Sequence, residues 1–122
     1  MKKKVIAYLI IIFLTACYWP IEDPERPPAA PAELKATIKT EGSVRFVQLE
    51  WKDNSNNETG FQIARKIGTG MYVVIQSVGA NTTLYNDYPP TTEYGTTYGY
   101  RVRSMTNYYY SEYSNDVVIT FM

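Results

Sequence analysis

Histidine is missing from this 122-residue chain, and cysteine occurs once. The first absence removes the usual general acid/base, the commonest metal ligand and the middle member of a Ser-His-Asp relay. The second rules out a disulfide within the chain. Basic clusters are also lacking beyond the N-terminus. Lys2, Lys3 and Lys4 account for three of the twelve cationic residues, so from Cys17 onward nine positive charges face twelve negative ones. A mildly acidic body with no basic patch excludes phosphate-backbone recognition, and no nucleic-acid partner is expected.

Other chemistry-bearing patterns fall short in the same way. Ser111 and Ser114 have no histidine to activate them, and the carboxylates form no evident pair on a rigid element. Gly68-Thr69-Gly70 has neither a following helix nor a Lys-Ser/Thr pair, so it reads as a hairpin turn rather than a phosphate cradle. The oxygen-rich Asp53–Thr59 stretch places Glu58 and Ala64 where a calcium loop needs glycine and glutamate. The expectation is a protein that is not an enzyme and has no metal site and no cofactor.

What is present begins with the first nineteen residues. Three lysines precede an apolar run from Val5 to Ala16. As a helix that run would be roughly 18 Å long, well short of a hydrocarbon core about 30 Å thick. A cationic start, a short apolar stretch and small residues at its end read as a secretory signal peptide. Its last residues, Leu14-Thr15-Ala16-Cys17, resemble the lipobox of bacterial lipoproteins. That resemblance implies cleavage before Cys17 and acylation of its sulfur, chemistry that requires a nucleophilic thiolate. Residues 1–16 are then the signal peptide. Residue 17 is the membrane partner's point of attachment, since two or three acyl chains hold stably where one does not. Tyr18 stands where the family's inner-membrane retention signal usually has aspartate, which favours the outer membrane of a bacterial envelope.

Five of the seven prolines lie between Pro20 and Pro31, among Glu22, Asp23, Glu25 and Arg26. Such a stretch builds no core and tends to extended polyproline II, so 17–31 reads as the lipidated cysteine and a proline-rich tether.

From residue 32 to 122 the pattern is alternation. Leu34, Ala36 and Ile38 share a parity, as do Val47, Leu49 and Trp51, then Phe61 and Ile63, then Tyr98, Tyr100 and Val102. Period two with polar residues between means half-buried strands. Turn-forming clusters at 41–43, 53–57, 68–70 and 89–90 separate them. The expected fold is an all-β antiparallel sandwich. Leu49-Glu50-Trp51-Lys52-Asp53-Asn54-Ser55, Glu58 to Arg65, Tyr98 to Arg103 and Ser111 to Asn115 together resemble a fibronectin type III domain. The resemblance implies seven strands in two immunoglobulin-like sheets, near 33–39, 44–52, 61–67, 71–78, 82–86, 96–106 and 115–121. It also implies that Trp51 lies between the sheets and that Tyr98 is the corner tyrosine whose hydroxyl bonds to nearby backbone. The segment Tyr88–Tyr94 departs from the family by lacking the leucine usually placed before the sixth strand.

Tyrosine is abundant, with twelve copies, and Tyr108, Tyr109, Tyr110 and Tyr113 cluster between the last two expected strands. Tyrosine offers a large amphipathic contact area at low entropic cost, so this is a candidate binding loop. The alternative is framework: Tyr113 fits the family pattern, and parity carried on from Val102 turns some of Tyr108 and Tyr110 onto the sheet. The functional expectation is an anchored module that binds a protein or other ligand. Two alternatives are an accessory subunit docked through a sheet edge and a carbohydrate-binding module that stacks sugars on the tyrosines.

Overall fold

The computed structural model describes residues 26–122. Leu14, Thr15, Ala16, Cys17 and the first part of the tether lie outside the described residues.

Among the described residues seven strands follow one another without a helix: β1 (Ala32–Glu41), β2 (Val44–Lys52), β3 (Gly60–Ile67), β4 (Val73–Gly79), β5 (Leu84–Asp87), β6 (Thr97–Met105) and β7 (Val117–Thr120). They form two antiparallel sheets, ordered β1-β2-β5 and β4-β3-β6-β7. This is the expected seven-stranded immunoglobulin-like sandwich. Period-two alternation explains the strands directly. In β2, Val47, Leu49 and Trp51 are buried, whereas Gln48 is half-buried and Glu50 exposed. The facing sheet contributes Phe61, Ile63, Tyr98, Tyr100 and Val102, all fully buried. Trp51 meets Phe61 between the sheets, ring centroids 5.6 Å apart. Each such side chain withdrawn from water stabilises the fold by about 1.5–3 kcal/mol.

The strand ends lie within two residues of those expected, and those of β2 coincide with them. Glu33 adopts φ 55°, and the β1–β2 register breaks between Ala32 and Lys35. The Asn115 side chain fits that irregularity. Its Oδ1 accepts the Leu34 amide at 2.9 Å, and its Nδ2 donates to the Leu34 carbonyl at 3.1 Å. A side-chain amide from the segment before β7 therefore satisfies both backbone groups of Leu34 in the other sheet. A two-residue turn, Gly42-Ser43, closes β1 onto β2, and Gly42 supplies the positive φ of 60° that this turn needs. Gly68-Thr69-Gly70 lies in the β3–β4 hairpin turn. Gly60 is needed for another reason, because an added Cβ would run into the Val78 carbonyl of the neighbouring β4.

At one end of the sandwich the Tyr98 hydroxyl donates to the Thr91 carbonyl at 2.8 Å and accepts the Thr91 amide at 3.3 Å. The Tyr88–Tyr94 segment has no leucine, and aromatic rings close this end instead. Phe121 is fully buried and meets Tyr98 edge-on at 6.1 Å, and Tyr88 packs against Phe46 at 5.1 Å. Phe121 is held by backbone bonds, its amide to the Thr96 carbonyl at 2.9 Å and its carbonyl to the Gly95 amide at 2.6 Å.

Residues 26–31, counted with the tether from their proline content, lie against the domain. Pro28 and Pro31 are buried. Ser104 Oγ donates to the Ala29 carbonyl at 2.6 Å, and Asn54 Nδ2 to the Ala30 carbonyl at 3.2 Å. Asn57 Nδ2 donates to the Arg26 carbonyl at 3.0 Å, and the Arg26 guanidinium to Asn56 Oδ1 at 3.1 Å. Proline cannot donate to a ladder, but its ring still packs, so this segment is a strap rather than free chain.

Candidate functional site

Two features bring polar side chains together: a tie between the sheets and a stack of tyrosines and arginines on an outer face.

The tie is built on Asp87, which is buried at the end of β5. Arg65 Nη1 reaches both of its carboxylate oxygens at 2.8 Å, and the Tyr100 hydroxyl donates to Oδ2 at 2.6 Å. Arg65 and Tyr100 belong to one sheet and Asp87 to the other, so three polar groups lock the layers at fixed separation. Burial first, and the hydrogen bond to Asp87 next, push the Tyr100 phenol well above its ordinary range. The group is fully satisfied and enclosed, which suits a structural tie.

The outer stack lies on β6. Arg101 and Arg103 flank the inward-facing Val102 and project to the other face. The chain after the Tyr-rich turn folds back beside them. The Ser111 amide donates to the Ser104 carbonyl at 2.9 Å, while Ser111 Oγ accepts the Ser104 amide at 2.9 Å. Three residues on, Ser114 repeats this on Val102, with distances of 2.7 and 3.0 Å. Each serine hydroxyl stands in for a backbone carbonyl, so Ser111 and Ser114 act in the framework. That pairing sets Tyr110 and Tyr113 over the guanidinium groups. Tyr72, Arg101, Tyr113, Arg103 and Tyr110 alternate, with guanidinium-to-ring distances of 4.1, 3.9, 4.9 and 3.8 Å along the series. Gln62 Oε1 accepts from both Arg103 Nε and Nη2, at 3.0 and 2.8 Å, fixing the plane of that guanidinium. Burial and then the nearby Asp116 carboxylate push the Tyr72 phenol up.

The tyrosine cluster therefore divides. Tyr110 and Tyr113 are committed on one face to arginine. Tyr108 and Tyr109 have no such partner and are 71% and 41% exposed. Their turn is preset, since Thr106 Oγ1 accepts both the Tyr108 and Tyr109 amides, at 3.1 and 3.0 Å, and the Thr106 amide donates to the Tyr109 carbonyl at 2.8 Å. A preset turn carrying two exposed amphipathic rings binds at low entropic cost.

Beside it, the strap and the 53–59 turn enclose a shallow polar hollow of about 330 Å³, lined by Arg26, Pro27, Ala29 and Asn54 to Asn57. Glu58 is buried below this turn. Desolvation first and the neighbouring Asp53 charge second push its carboxyl up, and Oε1 has no hydrogen-bond partner. Among the described residues no three carboxylate or cysteine side chains converge as a metal site.

The sequence reading missed Arg101 and Arg103 as the partners of the tyrosines. Their alternation with Val102, together with a three-residue spacing common to Tyr110–Tyr113 and Ser111–Ser114, is the signal that could have shown it. Asp87 carried no comparable mark.

No family model and no curated protein matches the chain. Solved structures do. The chain is similar to an Fn3-like protein from Clostridium thermocellum, with 24% identity, TM-score 0.60, and coverage of 78% of this chain and 94% of that one. A structure described as a myokine shares 21% identity at TM-score 0.59, covering 77% of this chain and 97% of the other. A set of titin domains shares 18% identity at TM-score 0.60, over 77% of this chain and 32% of that one. The fold is that of a fibronectin type III domain.

Proposed function

We propose that this chain is a lipid-anchored protein of a bacterial envelope, without catalytic activity, that presents its fibronectin type III domain as a binding module. The observation that carries this reading is Leu14-Thr15-Ala16-Cys17 at the end of a short apolar run behind three lysines. An acylated Cys17 holds the domain at a bilayer, in the outer membrane where Tyr18 replaces the retention aspartate. The preset turn with Tyr108 and Tyr109 is the contact surface, and Tyr110 and Tyr113 support it through arginine. Replacing Tyr108 and Tyr109 with alanine abolishes the crosslinks that this turn forms on intact cells, to protein, glycan or lipid, while leaving the melting temperature unchanged. Loss of stability with retained crosslinks contradicts this assignment.

A second reading has one observation in its favour. β4 is an edge strand, and Val73–Gly79 contains no charged residue, with Val73 62% exposed. Edges are ordinarily protected by charge or proline. An accessory subunit that docks by strand addition would use this edge, and a proline at Gln76 would then prevent assembly while the tyrosine changes would not.

A further inference from the structure

We infer that the surface met by Tyr108 and Tyr109 is the bilayer itself: the domain stands with its tyrosine tip down in the lipid headgroup layer. This rests on the anchored reading above and names the partner of that turn.

The strap fixes the polarity. Strand pairing places the starts of β1, β3 and β5 and the ends of β2, β4 and β6 at one pole, so the turns 53–59, 80–83 and 106–110 share it. The chain enters at this same pole, because Arg26, Ala29 and Ala30 are bonded to the 53–57 turn and to Ser104 at the end of β6. Only the eight residues 18–25 then separate the strap from Cys17. Fully extended they reach at most about 30 Å. Nine-residue β2 alone is of similar length at roughly 3.3 Å per residue. A tether no longer than the domain keeps the entry pole nearest the acyl chains.

The chemistry of the pole agrees. Among the turns 53–59, 80–83 and 106–110 the charged residues are Asp53 and Glu58. Asp53 Oδ1 accepts the Ser55 amide, and Glu58 is buried. The exposed remainder of these three turns is neutral alanine, asparagine, serine, threonine and tyrosine, and the exposed charges beside them at this pole are Arg26, which donates to Asn56, with Glu33 and Lys52 at the adjoining strand ends. Tyrosine rings favour the headgroup layer because one end is apolar and the other is wet. The opposite pole, with Tyr94 83% exposed and Glu93 beside it, faces away from the lipid.

The test uses the acylated protein, isotope-labelled and inserted into nanodiscs of phosphatidylethanolamine doped with a lipid that carries gadolinium on its headgroup. Amide signals of 107–110 lose most of their intensity, those of 93–95 keep theirs, and Tyr108→Ser with Tyr109→Ser restores the first set while the protein stays with the discs. Equal attenuation at both poles, or none at 107–110, overturns the inference while leaving the anchor intact. It would mean that the tip is free for a protein or glycan. A purified protein with no acyl mass, which does not enter the discs, overturns both.

Discussion

The Tyr100 hydroxyl lies 2.6 Å from Asp87 Oδ2, the shortest side-chain link between the two sheets, and Arg65 holds both oxygens of the same carboxylate. Asp87→Ala leaves a largely buried guanidinium without its counter-charge, a loss of about 3–5 kcal/mol. Tyr100→Phe costs less, about 1.5–3 kcal/mol, because one hydrogen bond to a charged group is lost while the ring remains. Urea unfolding of the two variants checks the order: Asp87→Ala is the weaker protein.

The same contact sets behaviour in alkali. The folded state holds the Tyr100 proton far above the ordinary tyrosine range, whereas the unfolded chain releases it near pH 10. Its contribution is therefore complete below about pH 10 and declines as pH rises further. In an ultraviolet titration one tyrosine stays protonated until the protein unfolds, and Tyr100→Phe removes that late step.

Glu58 behaves in the opposite sense to a paired carboxylate. Burial and Asp53 raise its folded pKa above the unfolded value, so its protonated form is favoured and stability declines as pH rises through the folded pKa. Glu58→Gln is expected to raise the melting temperature at neutral pH, with the advantage vanishing in acid, where the wild-type carboxyl is protonated in both states. A thermal-melt series across pH reads this directly.

The arginine–tyrosine stack predicts coupling between neighbours. A double-mutant cycle on Arg103 and Tyr110 gives about 0.5–1 kcal/mol, the range for a cation over an exposed ring. Tyr108 with Arg103 gives none.

Much of the frame could be read directly from residue order. Parity in Val47-Leu49-Trp51 and Tyr98-Tyr100-Val102 marks the buried faces because a strand repeats every two residues, and Trp51 and Tyr98 stand where the family resemblance put them. Asp87 was not legible, since its burial depends on Arg65 and Tyr100 arriving from the other sheet. The division of the tyrosines was hidden for a related reason. It follows from Ser111 and Ser114 bonding to β6, a long-range pairing without periodicity. Proline content overstated the free tether because it reports the lack of a ladder, not the lack of packing: Pro28 and Pro31 are buried.

The central claim is the acyl anchor, and intact-mass measurement of the protein extracted from bacterial membranes tests it most directly. The expected product is a chain beginning at Cys17 that carries diacylglyceryl mass, with a Cys17→Ser variant that carries none and washes free of the membrane. A wild-type chain without added lipid mass, released as readily as the serine variant, would contradict it.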